Sequence, residues 1–264
     1  MNRLTKKLKE LKAENKKALV AYLVAGDPDI ESTLSLIKLF IESGVDIIEI
    51  GVPFTDPIAE GPIIQKAHDR ALQKNVSLSL IFNMIKDFRI EDNETPIVLM
   101  GYLNTFISHK DLIKNNEENA IDSILVVDIP GEVNLADYGL ESSNVNTISL
   151  ISPTTKENRI KSIAQNSSGF VYYVTLRGVT GSSNLNIDEI SKNIEEIKKY
   201  ASVPTLAGFG IKSPEDAKLL AKCSDGVIIG SSIVKMIEES SDSREFDRIG
   251  QYITEIKQAI SWID

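Results

Sequence analysis

Cysteine is nearly absent from this 264-residue chain, at one residue, Cys223, and histidine is held to two, His68 and His109. A single thiol forms no internal disulfide, so the fold must hold by packing alone, and the composition fits a reducing compartment. The same shortage leaves too few ligands at workable spacing for a Cys/His metal site. Long apolar runs are missing too: stretches such as residues 18–25 fall far short of the ~20 residues that span a bilayer. Residues 1–17 are lysine-rich, with Leu4, Leu8 and Leu11 at helical spacing. They lack the apolar segment and small-residue cleavage site of a signal peptide and read as an amphipathic helix of the folded protein. The expected address is the cytoplasm, without membrane contact. Basic charge is the third shortage. Against 38 Asp and Glu stand 29 Lys and Arg, a net charge of −9, which excludes the basic footprint of a nucleic-acid binder.

What is present is a globular balance, 42% hydrophobic and 25% charged, in a chain long enough to bury roughly 70–75% of its unfolded surface. Short β-branched runs recur at residues 18–24, 45–50, 97–102, 123–129, 147–151, 170–175, 204–208 and 226–229. Amphipathic segments at 30–43, 156–166, 187–200 and 214–222 lie between them, and 246–263 closes the chain. Continuous apolar strands alternating with helices predict a parallel sheet covered on both faces. With no linker and no shift in composition, the expected fold class is α/β, a single (β/α)8 TIM barrel spanning residues 1–264 with an extra N-terminal helix. A doubly wound open sheet is the structural alternative.

In a barrel, chemistry belongs on the carboxyl-terminal face, with phosphate favouring the loops after strands seven and eight. Glu49 ends a strand otherwise made of isoleucine and, by alternation, shares a face with Val45 and Ile47. A carboxylate so placed needs a partner or a task, but position alone leaves open a Glu that merely reaches solvent at the mouth. Glu60 lies in the proline- and glycine-rich stretch 51–62, longer than the usual 2–6 residues of a βα connection. Alone it fits a solvated loop residue as readily as half of an acid/base pair. Three glycine-rich turns coincide with successive strand ends: Gly178-Val179-Thr180-Gly181, Gly208-Phe209-Gly210 and Gly230-Ser231-Ser232. One such turn is only a turn; three on one face point to a phosphate held by backbone N–H groups and a helix N-terminus. Ser213-Pro214 reads as ordinary helix capping. His68 and His109 read as surface polar residues and Cys223 as a small buried hydrophobe. Tyr22, Tyr102 and Tyr172 suit a planar ligand but need none as core aromatics.

Taken in order, YLVAGDP at 22–28, EIGVPFTDPIAEGP at 49–62, PIVLMGYLN at 96–104, LVVDIP at 125–130, SPTTKENR at 152–159, GFVYYVTLRGVTGS at 169–182, residues 208–211 and DGVIIGSSIVK at 225–235 resemble the alpha chain of tryptophan synthase. The resemblance spans nearly the whole chain. It implies a (β/α)8 lyase of tryptophan biosynthesis that splits indole-3-glycerol phosphate into indole and glyceraldehyde 3-phosphate, with neither metal nor organic cofactor in this chain. Glu49 matches the family's catalytic glutamate, handling protons at indole C3 and the substrate hydroxyl. Glu60 stands where the family normally has an aspartate that holds the indole N–H. Tyr172 matches a tyrosine near the reacting hydroxyl, and Thr180 the loop threonine that closes over the site. Gly181, Gly210, Gly230 and Ser231 match the phosphate cradle. Tyr22, where phenylalanine is common, joins Met100, Leu125, Val127, Ile151 and Phe209 in the expected indole pocket, and Tyr102 counts among the substrate-binding residues. The resemblance further implies a partner, the pyridoxal-phosphate-dependent beta chain, which receives indole through a tunnel in an αββα tetramer and docks around residues 55–58 and 178–186.

Glu60 is the departure of consequence. The added methylene displaces a carboxylate by about 1 Å, and misplacement on that scale costs on the order of 100-fold in rate. A weakly active or inactive activating subunit of the beta chain is therefore a second reading. Another phosphate-handling barrel, such as a sugar-phosphate isomerase or epimerase, is a third, against which the 49–62 block argues.

Overall fold

Strands that are apolar on both faces are stable only when both faces are covered, and closing a sheet of them on itself also removes its edges. The structure, a computed structural model, describes residues 2–116, 120–174, 186–208, 210–240 and 243–261. Within them β1 (Ala18–Val24), β2 (Ile47–Gly51), β3 (Ile97–Gly101), β4 (Ser123–Val126), β5 (Asn146–Ile151), β6 (Val171–Val174), β7 (Thr205–Gly208) and β8 (Gly226–Ile229) pair in parallel with their sequence neighbours, and β8 closes on β1. The barrel is closed, so the open-sheet alternative falls. The fourth strand is shorter than its apolar run because the chain turns away after Val126, where Asp128 accepts the Leu103 N–H at 2.8 Å.

Around the barrel run α2 (Ile30–Glu42), α3 (Pro62–Gln73), α4 (Leu78–Glu91), α5 (Leu103–Ser108), α6 (Lys110–Asn115), α7 (Glu157–Asn166), α8 (Ile187–Lys198), α9 (Pro214–Cys223), α10 (Ser231–Glu239) and α11 (Asp247–Ser261), preceded by α1 (Arg3–Ala13). Ser213 caps α9 by accepting the Asp216 N–H, with Pro214 in the first turn. None of the described helices is long and apolar enough to cross a membrane.

Strand alternation divides the core in two. One set of side chains packs outward against the helices; the other fills the barrel, with Val20, Ile47, Val98, Leu125, Ile148, Phe170, Leu206 and Ile228 in one cluster. Leu4, Leu8 and Leu11 of α1 join the inner cluster, so the amphipathic N-terminal helix plugs the amino-terminal end of the barrel. Beside it, the buried Asp122 accepts from Arg3 Nε at 3.0 Å, Arg89 Nη2 at 3.2 Å and the Ile97 N–H at 2.9 Å. One end of the barrel is thereby sealed, and the carboxyl-terminal end is left for a ligand.

Candidate active site

Along β2 the residues alternate so that Ile47 and Glu49 point into the barrel while Ile48 and Ile50 pack outward. Glu49 is thus the last inward residue of an apolar strand, 1% exposed, with Oε1 lacking any hydrogen-bond partner. It opens onto a cavity of about 380 Å³ at the carboxyl-terminal mouth, shared with Glu60, Tyr22, Met100, Val127 and Tyr172. The cavity continues past Leu150, Ile211 and Lys212 to Gly210, Gly230 and Ser231. A larger cleft of about 450 Å³, lined by lysines of α1 and by Lys198, lies at the opposite end; none of the residues singled out as candidate site residues lines it.

Glu60 is brought to the cavity by a loop pinned on both sides. The Glu60 N–H donates to the Pro57 carbonyl at 3.0 Å, and Gln65 Nε2 donates to the Glu60 carbonyl at 2.9 Å. The Ala59 N–H donates to the Tyr102 hydroxyl at 3.1 Å, and the Tyr102 ring stacks on Phe54 with centroids 4.5 Å apart. The Phe54 N–H in turn donates to His68 Nδ1 at 3.0 Å. His68 is therefore a buried anchor of this loop rather than the surface residue its isolation in the sequence suggests. Because Nδ1 accepts, its proton sits on Nε2, and burial lowers its pKa to about 4, so the ring is neutral.

The two carboxyl groups share one poorly hydrated space. Burial pushes Glu60 up to about 7; burial and, after it, the charge of Glu60 push Glu49 up to about 8. Burial and the same carboxyl groups also drive the Tyr22 and Tyr172 phenols well above their usual range. Near neutrality the pair therefore holds a proton in preference to two charges, the condition for one acid and one acceptor side by side. At the rim, α10 starts at Ser231 directly after Gly230, which carries no side-chain cap. The first-turn N–H groups and dipole of this helix, with Lys212 nearby, suit an anion.

Three expected positions lie off the cavity lining. Ile151 does not line the cavity: it packs outward in the strand–helix core, and its neighbour Leu150 takes the inward place. Leu125 is fully buried in the inner barrel cluster, with Met100 and Val127 packed against it. Tyr102 supports the Glu60 loop instead of forming the wall. Thr180, Gly181 and Phe209 lie outside the described residues. Leu150, Ile64, Ile211 and Lys212 were missed as lining residues; strand parity counted from Ile148 would have found Leu150. Cys223 is half-buried, donates to the Leu220 carbonyl, and has its thiol pKa raised by burial, which suits packing rather than attack. Among the described residues no group of three or more His, Cys, Asp or Glu side chains is arranged to hold a metal.

The sequence model of the tryptophan synthase alpha chain family matches residues 8–261. A tryptophan synthase alpha chain from Nitrosomonas europaea is 39% identical over 98% of this chain and 96% of its own length. One from Neisseria meningitidis serogroup B is 43% identical over 92% and 94%. Among solved structures, tryptophan synthase subunit alpha from Legionella pneumophila superposes with a TM-score of 0.89 at 37% identity, covering 98% of both chains. A chain of the tryptophan synthase α2β2 complex of Pyrococcus furiosus superposes with a TM-score of 0.82 at 33% identity, covering 91% of this chain and 98% of its own.

Proposed function

The chain belongs to the tryptophan synthase alpha chain family, a family of lyases that cleave indole-3-glycerol phosphate, and from that premise we propose how its residues divide the work. Glu49, protonated when substrate binds, donates its proton to indole C3 while Glu60, ionised, accepts the ring N–H and stabilises the indolenine. Glu49, now a carboxylate, takes the proton of the side-chain hydroxyl. The carbon–carbon bond breaks, its electron pair returns to the ring, the ring nitrogen recovers its proton, and indole and glyceraldehyde 3-phosphate leave. One proton is gained at C3 and one lost at the hydroxyl, so the step balances without a redox partner. The apolar wall of Met100, Val127 and Leu150 fits the indole, and the start of α10 with Gly210 fits the phosphate.

The observation that carries this reading is the pair Glu49 and Glu60 on one apolar cavity with an anion-favouring rim. The subunit reading without catalysis is not favoured, because both carboxyl groups face the same space despite the added methylene. We further propose that the chain works without a cofactor of its own in the cytoplasm and passes indole to a pyridoxal-phosphate-dependent beta chain. That chain would dock at the exposed tip of the Glu60 loop, where Ile58 is 74% exposed; the second expected docking segment falls largely outside the described residues. The test is indole release from indole-3-glycerol phosphate, with and without the beta chain. The parent releases indole and Glu49→Gln loses at least about 100-fold in kcat. A parent that releases none in either condition yet stimulates its beta chain overturns the catalytic reading in favour of the subunit one.

A further inference from the structure

Among the described residues, Glu49 Oε1 and the Tyr22 hydroxyl are both buried side-chain oxygens without a hydrogen-bond partner. Tyr22 and Glu49 are register partners on β1 and β2 and face the same cavity. A buried phenol normally keeps a partner, because leaving it unpaired costs free energy. The direction of this one is well defined. A Cβ on Gly51, two residues beyond Glu49, would collide with the Tyr22 hydroxyl. The ring therefore leans from β1 across to the end of β2, past Glu49 and toward the loop that brings Glu60 back to the cavity. The Tyr172 phenol likewise leans onto the next strand, away from the Glu60 loop: a Cβ on Gly208 of β7 would lie 2.8 Å from its hydroxyl.

Glu60 has the complementary deficiency. Its backbone N–H and carbonyl are both hydrogen-bonded, but no described residue donates to its carboxyl, whose three side-chain torsions leave it unaimed. We propose that the Tyr22 hydroxyl is a positioning donor for Glu60: with substrate in the cavity, it hydrogen-bonds the Glu60 carboxylate and holds it at the ring N–H. This rests on the catalytic reading above. The electrostatics agree, since Glu60 acts on the Tyr22 phenol more strongly than Glu49 does. The titratable or charged groups around Glu60 are Tyr22 on β1, Glu49 on β2, Tyr102 after β3, Tyr172 on β6 and Lys212 after β7.

The test is a double-mutant cycle with Tyr22→Phe and Glu60→Asp, read as kcat/KM for indole release, together with a 13C NMR titration of the side-chain carboxyl carbons with indole-3-glycerol phosphate bound, in the slow Glu49→Gln background. In the parent background Tyr22→Phe is expected to cost about 10-fold, the scale of one hydrogen bond to a charged group. In the Glu60→Asp background, where the shorter side chain draws the carboxylate back from the phenol, the cost falls under about twofold. In the titration Tyr22→Phe moves Glu60 upward, since the ionised form has lost its donor. Equal losses in both backgrounds, or an unmoved Glu60 titration, overturn the proposal and leave Tyr22 as packing only. An inactive parent overturns the catalytic reading, and the titration then still reports on whether the phenol donates to Glu60. Phenylalanine keeps the ring's volume and removes only the unpaired hydroxyl, so the variant folds.

Discussion

Glu49 and Glu60 owe their chemistry to where two apolar surfaces leave them. A carboxyl in water ionises near pH 4, yet burial places this pair at about 8 and about 7. Catalysis in the proposed sense needs Glu49 protonated and Glu60 ionised at the moment substrate binds. The fraction of enzyme in that state falls below pH 7 as Glu60 takes a proton, and above pH 8 as Glu49 loses one. The profile of kcat/KM against pH is therefore expected to be a narrow bell with limbs near about 7 and about 8, belonging to the pair as a unit. Stopped-flow indole release across about pH 5 to 10 checks it. A flat profile down to about pH 5 would mean that Glu60 ionises as it does in water and would remove the basis for its role.

At the scale of elements, precision at Glu60 comes from the loop and its struts rather than from the strand. The Tyr102 hydroxyl accepts from Ala59, the residue before Glu60, and His68 accepts from Phe54 near the loop's start. Tyr102→Phe keeps the stack on Phe54 and deletes only the acceptor. It is expected to lower kcat/KM by about 10-fold through looser placement of Glu60, with kcat reduced and melting temperature nearly kept. An unchanged kcat would show that the loop holds Glu60 without this strut. These elements also show which features the amino-acid sequence exposes. The eight strands were legible because each is a continuous apolar run between turn residues, and Glu49 because a lone acid interrupts isoleucines. Leu150 was not, because Leu150 and Ile151 are both apolar and only the register of β5 says which points inward. His68 was not, because its partner, the Phe54 amide, lies in a loop whose path depends on the closed barrel. Glu60 needed both kinds of information: the motif located it, and only the packing of its loop shows its carboxyl to be desolvated.

Across the whole molecule, the two ends of the barrel are built to opposite purposes. The amino-terminal end is closed by α1 and by the paired charges of Asp122, Arg3 and Arg89, whereas the carboxyl-terminal end keeps Glu49 buried with an unpartnered oxygen. The first arrangement supports the fold, and the second works against it wherever a carboxyl in water would be ionised, because the buried Glu49 must hold its proton instead. The sign follows from linkage. A carboxyl whose folded pKa is raised contributes stability that is fully present below its unfolded value, near 4.5, and is lost as pH rises through about 8. Glu49→Gln removes the titration while keeping the shape. The variant and the parent should therefore melt at similar temperatures at about pH 4, and the variant should gain progressively above it. By about pH 9 the gain should reach a few kcal/mol, on the order of 5 °C or more in melting temperature for a chain of this length. Thermal melts of both proteins over that range measure the gap. A gap that stays constant with pH would show that Glu49 carries no raised pKa in the folded barrel. A gap that opens, in a variant that releases no indole, would show that the charge state required for the reaction is maintained at the expense of the fold.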